Sequence, residues 1–68
     1  MKNRVKLLCL KNDILTPHDL AILIGIGDLR AKAIWEETCI IDFEIVKRLS
    51  KLFKVSAAYI LCQTENEA

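Results

Sequence analysis

One eight-residue segment, with a clear start signal and a clear stop signal, most constrains the fold of this chain. Thr16 precedes Pro17, and Gly25 ends the apolar run that follows them. Threonine is a favourable helix N-cap, and proline at the first helical position loses no hydrogen bond that the helix needs. Glycine readily takes the left-handed conformation that ends many helices. The sequence therefore predicts a short helix over 17–24 and argues against a strand in its β-branched stretch.

Apolar residues recur at helical spacing along the rest of the chain. A first helix is expected to bury Val5, Leu8 and Cys9 and to end at the Asn12-Asp13 pair. Further helices are expected from Asp28 to about Glu37, over 43–53 behind an Asp42 cap, and over 57–61 behind a Ser56 cap, with a frayed tail at 63–68. The helix at 43–53 is expected to bury Ile45, Val46, Leu49, Leu52 and Phe53. The prediction is one all-α domain of five short helices, covering 1–68.

The length and net charge of the chain limit which partners this domain can have. With 68 residues, the chain is near the lower limit for a self-sufficient core, yet 53% of its residues are hydrophobic. Some apolar side chains are therefore expected to cover a partner or a second copy of the chain. The net charge is +1 overall, and residues 1–64 hold 10 basic and 7 acidic side chains, a net charge of +3. This mild basicity permits a polyanionic partner without requiring one.

The cysteines and the N-terminus predict a cytoplasmic protein. Cys9, Cys39 and Cys62 are far apart and show no Cys-x-x-Cys spacing, as expected of buried free thiols in a reducing compartment. His18 is the only histidine, so no metal site and no cofactor are expected. The apolar run within residues 1–13 is short and interrupted by charge, so no signal peptide and no membrane partner are expected.

The Gly-Ile-Gly sequence at 25–27 has two interpretations. A phosphate-binding turn would need further glycines or a Lys-Ser/Thr pair, and Asp28 would repel the phosphate. The alternative is a tight corner between two helices, in which Ile26 fills the corner and the small Ala21 lets the helices approach closely. This alternative needs fewer features and predicts a helix-turn-helix unit.

The segments LTPHDLAILIGIGDLRAKAIWEE and FEIVKRLSKLFKVSAAYIL carry a family resemblance. They resemble the lambda-repressor-like helix-turn-helix domain of phage Cro and repressor proteins and Xre-type regulators. The resemblance covers about residues 4–62, with the helix-turn-helix core at about 16–37. It implies a bacterial or phage transcription regulator that binds double-stranded DNA sequence-specifically, usually as a homodimer, and acts by occupying its operator. No enzymatic activity is expected.

Proteins of this kind place the second helix of the motif in the major groove. With Ala31 facing inward, the centre of the exposed face of that helix is formed by Leu29, Ala33 and Glu36. Leu29 and Ala33 could contact thymine methyl groups, and Glu36 could accept a hydrogen bond from cytosine. Arg30 and Lys32 either contact guanine or phosphate, or simply solvate the flanks of the helix. The remaining candidate DNA-binding residues are Asp28 at the start of this helix and Thr16 and His18 at the start of the preceding one, although His18 could be an ordinary surface histidine.

A second group of basic residues lies on the helix at 43–53. Lys47 and Lys51 share one face with Lys54, and Arg48 lies beside them. A solvated helix face explains this pattern, and a row of phosphate contacts is the alternative.

Several apolar residues favour a protein partner instead. Ile22 occupies a position that should face solvent. The sequence predicts an alternative function on the same fold: a protein-interaction module, such as an antirepressor or modulator, that binds another regulator with weak or no DNA binding. The candidate protein interface consists of Ile22, Ile40, Ile41, Tyr59, Ile60 and Leu61.

Overall fold

The computed structural model describes residues 2–66, which form five α-helices and no β-strand. The helices are α1 (Val5–Lys11), α2 (Pro17–Ile24), α3 (Asp28–Trp35), α4 (Phe43–Phe53) and α5 (Ala57–Ile60). The predicted all-α class and the number of helices are confirmed for this part of the chain. No helix among the described residues is long and apolar enough to cross a membrane.

The ends of α2 lie where the local sequence predicts them. The Thr16 hydroxyl accepts a hydrogen bond from the backbone N–H of Asp19 at 3.2 Å, and Pro17 is the first helical residue. Gly25 ends the helix at φ 70°, and its N–H donates to the carbonyl of Ala21 at 2.9 Å. The left-handed conformation costs glycine the least, because glycine has no Cβ. Gly27 is different, because its φ of −72° suits any residue.

Helix α3 ends two residues before the predicted end at Glu37. Glu37 takes a left-handed conformation, with φ 61°, and its N–H donates to the carbonyl of Ile34 at 3.2 Å. The N–H of Thr38 then donates to the carbonyl of Ala33 at 2.9 Å. These two bonds form a Schellman motif without glycine. Helix α5 likewise ends at Ile60, one residue before its predicted end.

The core lies where the five helices meet. Helix α2 packs on α3 and α4, and α5 packs on α4. The predicted burial of Val5, Leu8 and Cys9 in α1 is confirmed. In α4 the prediction is confirmed for Ile45, Val46 and Leu49, whereas Phe53 is half-buried and Leu52 is exposed. The prediction for Leu52 is wrong because this residue lies at the edge of the apolar stripe, in the last turn of the helix.

Two residues predicted for a protein interface belong to this core. Ile41 is 8% exposed and Ile60 is fully buried. Ile60 is the inward residue of the one-turn helix α5, and its carbonyl accepts a hydrogen bond from the N–H of Arg4 at 2.8 Å. Ile41 packs into the main apolar cluster just before α4 begins. Their interface role is therefore corrected to a structural one.

Polar contacts of the N-terminal residues join distant parts of the chain. The side-chain amide of the buried Asn3 donates to the carbonyl of Ile34 at 3.1 Å, and its oxygen accepts from the N–H of Val5 at 2.9 Å. The Arg4 guanidinium donates to the carbonyl of Thr64 at 2.7 Å and lies 3.1 Å from the Glu65 carboxylate. The described part of the predicted frayed tail is thus held against the start of α1, and residues 67–68 lie outside the described range.

Candidate nucleic-acid interface

Helix α3 has one fully buried face and one exposed face. Ala31 and Ile34 are completely buried, which orients the helix as the sequence predicts. The opposite face carries Leu29, Lys32, Ala33 and Glu36, and all except the half-buried Ala33 are exposed. We call these four residues the exposed strip of α3.

The N-terminus of α2 lies along one side of this strip. His18 Nδ1 donates a hydrogen bond to the Asp28 carboxylate at 2.9 Å, which joins the first turns of α2 and α3. Both side chains are largely exposed. An open groove runs between the two helices and is lined by Thr16, Pro17, His18, Asp28, Lys32, Trp35 and Glu36. The structure therefore brings together five of the predicted DNA-binding residues.

The N-terminus of α4 lies along the other side of the strip. The Arg30 guanidinium is 2.9 Å from the carboxylate of Asp42, the N-cap residue of α4. The predicted N-cap position of Asp42 is confirmed, but its side chain makes no capping hydrogen bond. Its carboxylate binds Arg30 instead, because a guanidinium offers a charged donor from the neighbouring helix.

The exposed strip is thus flanked by the N-termini of two helices. Helix N-termini carry unpaired N–H groups and a partial positive charge, and both features favour anions. Two carboxylates lie beside these ends, and each has a side-chain partner: Asp28, the first residue of α3, contacts His18 of α2, and Asp42 at the start of α4 contacts Arg30 of α3. Among the described residues, Lys32 forms no ion pair and is the one basic side chain of the strip.

The basic residues of α4 are mostly engaged within the chain. Lys47 lies 3.8 Å from Glu44, with its ammonium over the Phe43 ring. Arg48 donates a hydrogen bond to the carbonyl of Ile24 at 2.9 Å and so provides a partner for a carbonyl in the last turn of α2. Lys51 forms no ion pair with any residue in 2–66. Of the three predicted phosphate contacts, Lys51 is the most available.

Large apolar side chains are exposed outside the strip. Ile22 is 67% exposed and Ile40 is 71% exposed, whereas Tyr59 and Leu61 are half-buried. The Tyr59 ring lies 4.2 Å below the Arg4 guanidinium, an intramolecular contact that explains its burial. Phe43, at 72% exposure, is an exposed residue that sequence reasoning missed. Its angular position on α4, away from Ile45 and Leu49, is the signal that would have found it.

All three cysteines are free thiols. Cys9 is fully buried, and this burial raises the pKa of its thiol from 9.0 to about 12, so the thiol stays protonated. Cys39 and Cys62 are half-buried free thiols. Residues 2–66 contain no group of three or more His, Cys, Asp or Glu side chains that could hold a metal ion.

Comparison of the chain with models of known protein families, with curated proteins and with solved structures found no match.

Proposed function

We propose that this chain is a sequence-specific DNA-binding transcription regulator of the bacterial or phage type, with a lambda-repressor-like helix-turn-helix fold. Helix α2, the corner at 25–27 and helix α3 form the motif, and the exposed strip of α3 enters the major groove. Regulation requires no catalysis: the bound protein occupies an operator and thereby blocks or redirects polymerase. A homodimer would place two copies of α3 on half-sites one helical turn apart.

The observation that best supports this proposal is the position of the strip between two helix N-termini. A major groove is about 12 Å wide, admits one α-helix and has a phosphate backbone along each side. With α3 in the groove, the N-termini of α2 and α4 would face the two backbones. In α2 the His18 N–H can donate to a phosphate oxygen, since Pro17 has no N–H and the Thr16 hydroxyl already accepts that of Asp19. The first turn of α4 has no side-chain cap, so its N–H groups can donate without any basic side chain. This arrangement is compatible with the mild charge of the chain.

Five of the candidate residues have a role in this function. Lys32 contacts guanine or a phosphate, and Glu36 accepts a hydrogen bond from cytosine. Thr16 and His18 lie beside one backbone, at the N-terminus of α2. Arg30 reaches the DNA only when its ion pair with Asp42 opens.

The test is a titration of the whole chain with mixed-sequence duplex DNA over a series of salt concentrations. The logarithm of the affinity should fall linearly with the logarithm of the salt concentration, because each neutralised phosphate releases counterions. Lys32→Ala should reduce the magnitude of the slope of this log–log plot by about one. Lys2→Ala removes the same charge from an exposed residue outside the strip and should leave the dependence unchanged. Absence of binding even at low salt would contradict the proposal.

A second candidate function, the protein-interaction module, is favoured by the exposed Ile22, Ile40 and Phe43. Side chains of this size at such exposure are typical of surfaces that bind other proteins. The molar mass of the pure chain, measured by light scattering with and without DNA, separates the two functions. Self-association that Ile40→Ser abolishes, together with no DNA binding at any salt concentration, would favour the module. A mass increase on addition of DNA, whether the free chain is a monomer or a homodimer, would favour the regulator.

A further inference from the structure

Leu29 occupies the most prominent position on α3. It lies in the first turn of the helix, at the centre of the exposed strip, and is 86% exposed. Ala33 follows one turn later on the same face, where residues four apart lie about 5–6 Å from each other. Along the first two turns of α3, the middle of the strip is therefore apolar, with a leucine side chain beside a methyl group, and Glu36 follows at its C-terminal end.

The polar neighbours of Leu29 are directed away from this middle. Asp28 accepts the hydrogen bond from His18 on the α2 side, and Arg30 pairs with Asp42 on the α4 side, each at 2.9 Å. The two residues adjacent to Leu29 in sequence are thus engaged with neighbouring helices. Base recognition at the N-terminal end of α3 is left to Leu29 itself.

A leucine side chain matches one group on the base edges of the major groove. Guanine, adenine and cytosine present hydrogen-bonding atoms there, and an apolar side chain would leave those atoms unpaired. Thymine also presents an O4 acceptor, but it is the one base that adds a 5-methyl group, which apolar side chains contact favourably. The ligand that fits the middle of the strip is therefore an A·T pair with its thymine methyl facing α3.

We propose that Leu29, supported by Ala33, determines sequence specificity by contacting thymine methyl groups, so that each half-site carries thymine beneath the first turn of α3. This proposal rests on the proposed DNA-binding function and adds to it the chemical group that the protein recognises.

The experiment replaces thymine by deoxyuridine, which pairs identically but lacks the methyl group. A preferred duplex is first selected with the full-length chain from a random pool, and each thymine is then replaced in turn. Replacement at the contacted position should weaken binding about fourfold, the factor expected for one buried methyl group. Leu29→Ala should bind the thymine and deoxyuridine duplexes equally. Leu7→Ala, the same truncation of an exposed leucine on α1, should retain the wild-type ratio.

The outcomes separate this inference from the function on which it rests. Salt-dependent DNA binding with equal affinity for thymine and deoxyuridine at every position would overturn the role of Leu29 and leave the DNA-binding function intact. Absence of DNA binding at all salt concentrations would overturn both. If Leu29→Ala abolished self-association while the duplexes bound equally, Leu29 would belong to a protein interface and the inference would again be wrong.

Discussion

The guanidinium of Arg30 lies 2.9 Å from the carboxylate of Asp42 and joins α3 to the first turn of α4. About half of each side chain remains exposed. An exposed ion pair of this kind contributes about 0–1 kcal/mol to stability, so its main effect is on orientation. It keeps a basic group at the edge of the exposed strip and places a carboxylate where a phosphate backbone would pass.

Asp42→Asn should therefore strengthen DNA binding. The substitution removes a negative charge near the phosphates and weakens the contact that holds Arg30. We expect the affinity to rise about fivefold at low salt, corresponding to roughly 1 kcal/mol for one nearby unit charge. Asp13→Asn removes the same charge from the loop between α1 and α2, where asparagine tolerates the left-handed backbone, and should change the affinity little. Equal affinities for Asp42→Asn and the wild type would contradict this prediction.

Asn3→Ala should destabilise the fold more than its position near the chain end would indicate. The buried Asn3 amide satisfies the carbonyl of Ile34 and the N–H of Val5, and both groups lose their side-chain partner in the variant. Loss of a buried partner costs about 1–3 kcal/mol. Asn12→Ala removes a similar bond, from an exposed asparagine to the carbonyl of Leu8, and should cost less than about 1 kcal/mol. Urea denaturation of the two variants tests the difference, and equal losses would contradict it.

The two glycines of the α2–α3 corner should respond oppositely to substitution. Gly25→Ala places a side chain in the left-handed region and should lower the free energy of unfolding by about 1–2 kcal/mol. Gly27→Ser should leave stability unchanged or raise it by a few tenths of a kcal/mol, because serine can cap α3 at the observed φ of −72°. Thermal denaturation compares the pair. A loss in Gly27→Ser as large as that in Gly25→Ala would show that both glycines are conformationally required.

The buried thiol of Cys9 should make the protein less stable at alkaline pH. Burial raises the folded-state pKa to about 12 from 9.0, so between these values the unfolded chain loses the thiol proton while the folded chain keeps it. The unfolded state then binds fewer protons, and the free energy of unfolding falls as pH rises above about 9, by at most about 1.4 kcal/mol per pH unit.

The measurement for Cys9 is urea denaturation under reducing conditions from pH 8 to about pH 10.5. Because other groups that titrate in this range are present in both proteins, the wild type is compared with Cys9→Ala. The free energy of unfolding of the wild type should fall more steeply with pH than that of the variant. Parallel curves would contradict the prediction.

Much of the candidate site could be predicted from the sequence. The helical periodicity around Ala31 predicts which residues α3 exposes, and Leu29, Lys32 and Glu36 are exposed as expected. The periodicity could not predict that Arg30 is paired, because its partner is twelve residues away on another helix. It also could not predict that Arg48 completes the last turn of α2, because that contact spans 24 residues.

Local sequence alone determined where most helices begin and end. Thr16 and Ser56 each cap a helix by accepting an N–H three residues ahead, and Gly25 ends α2 through its own backbone conformation. Such signals need only neighbouring atoms, so they can be read before the chain folds. The tertiary structure decided which side chains remain available to a partner. Ile60 is buried and the charge of Arg30 is engaged because packing brings distant segments against them, and residue type does not encode that proximity.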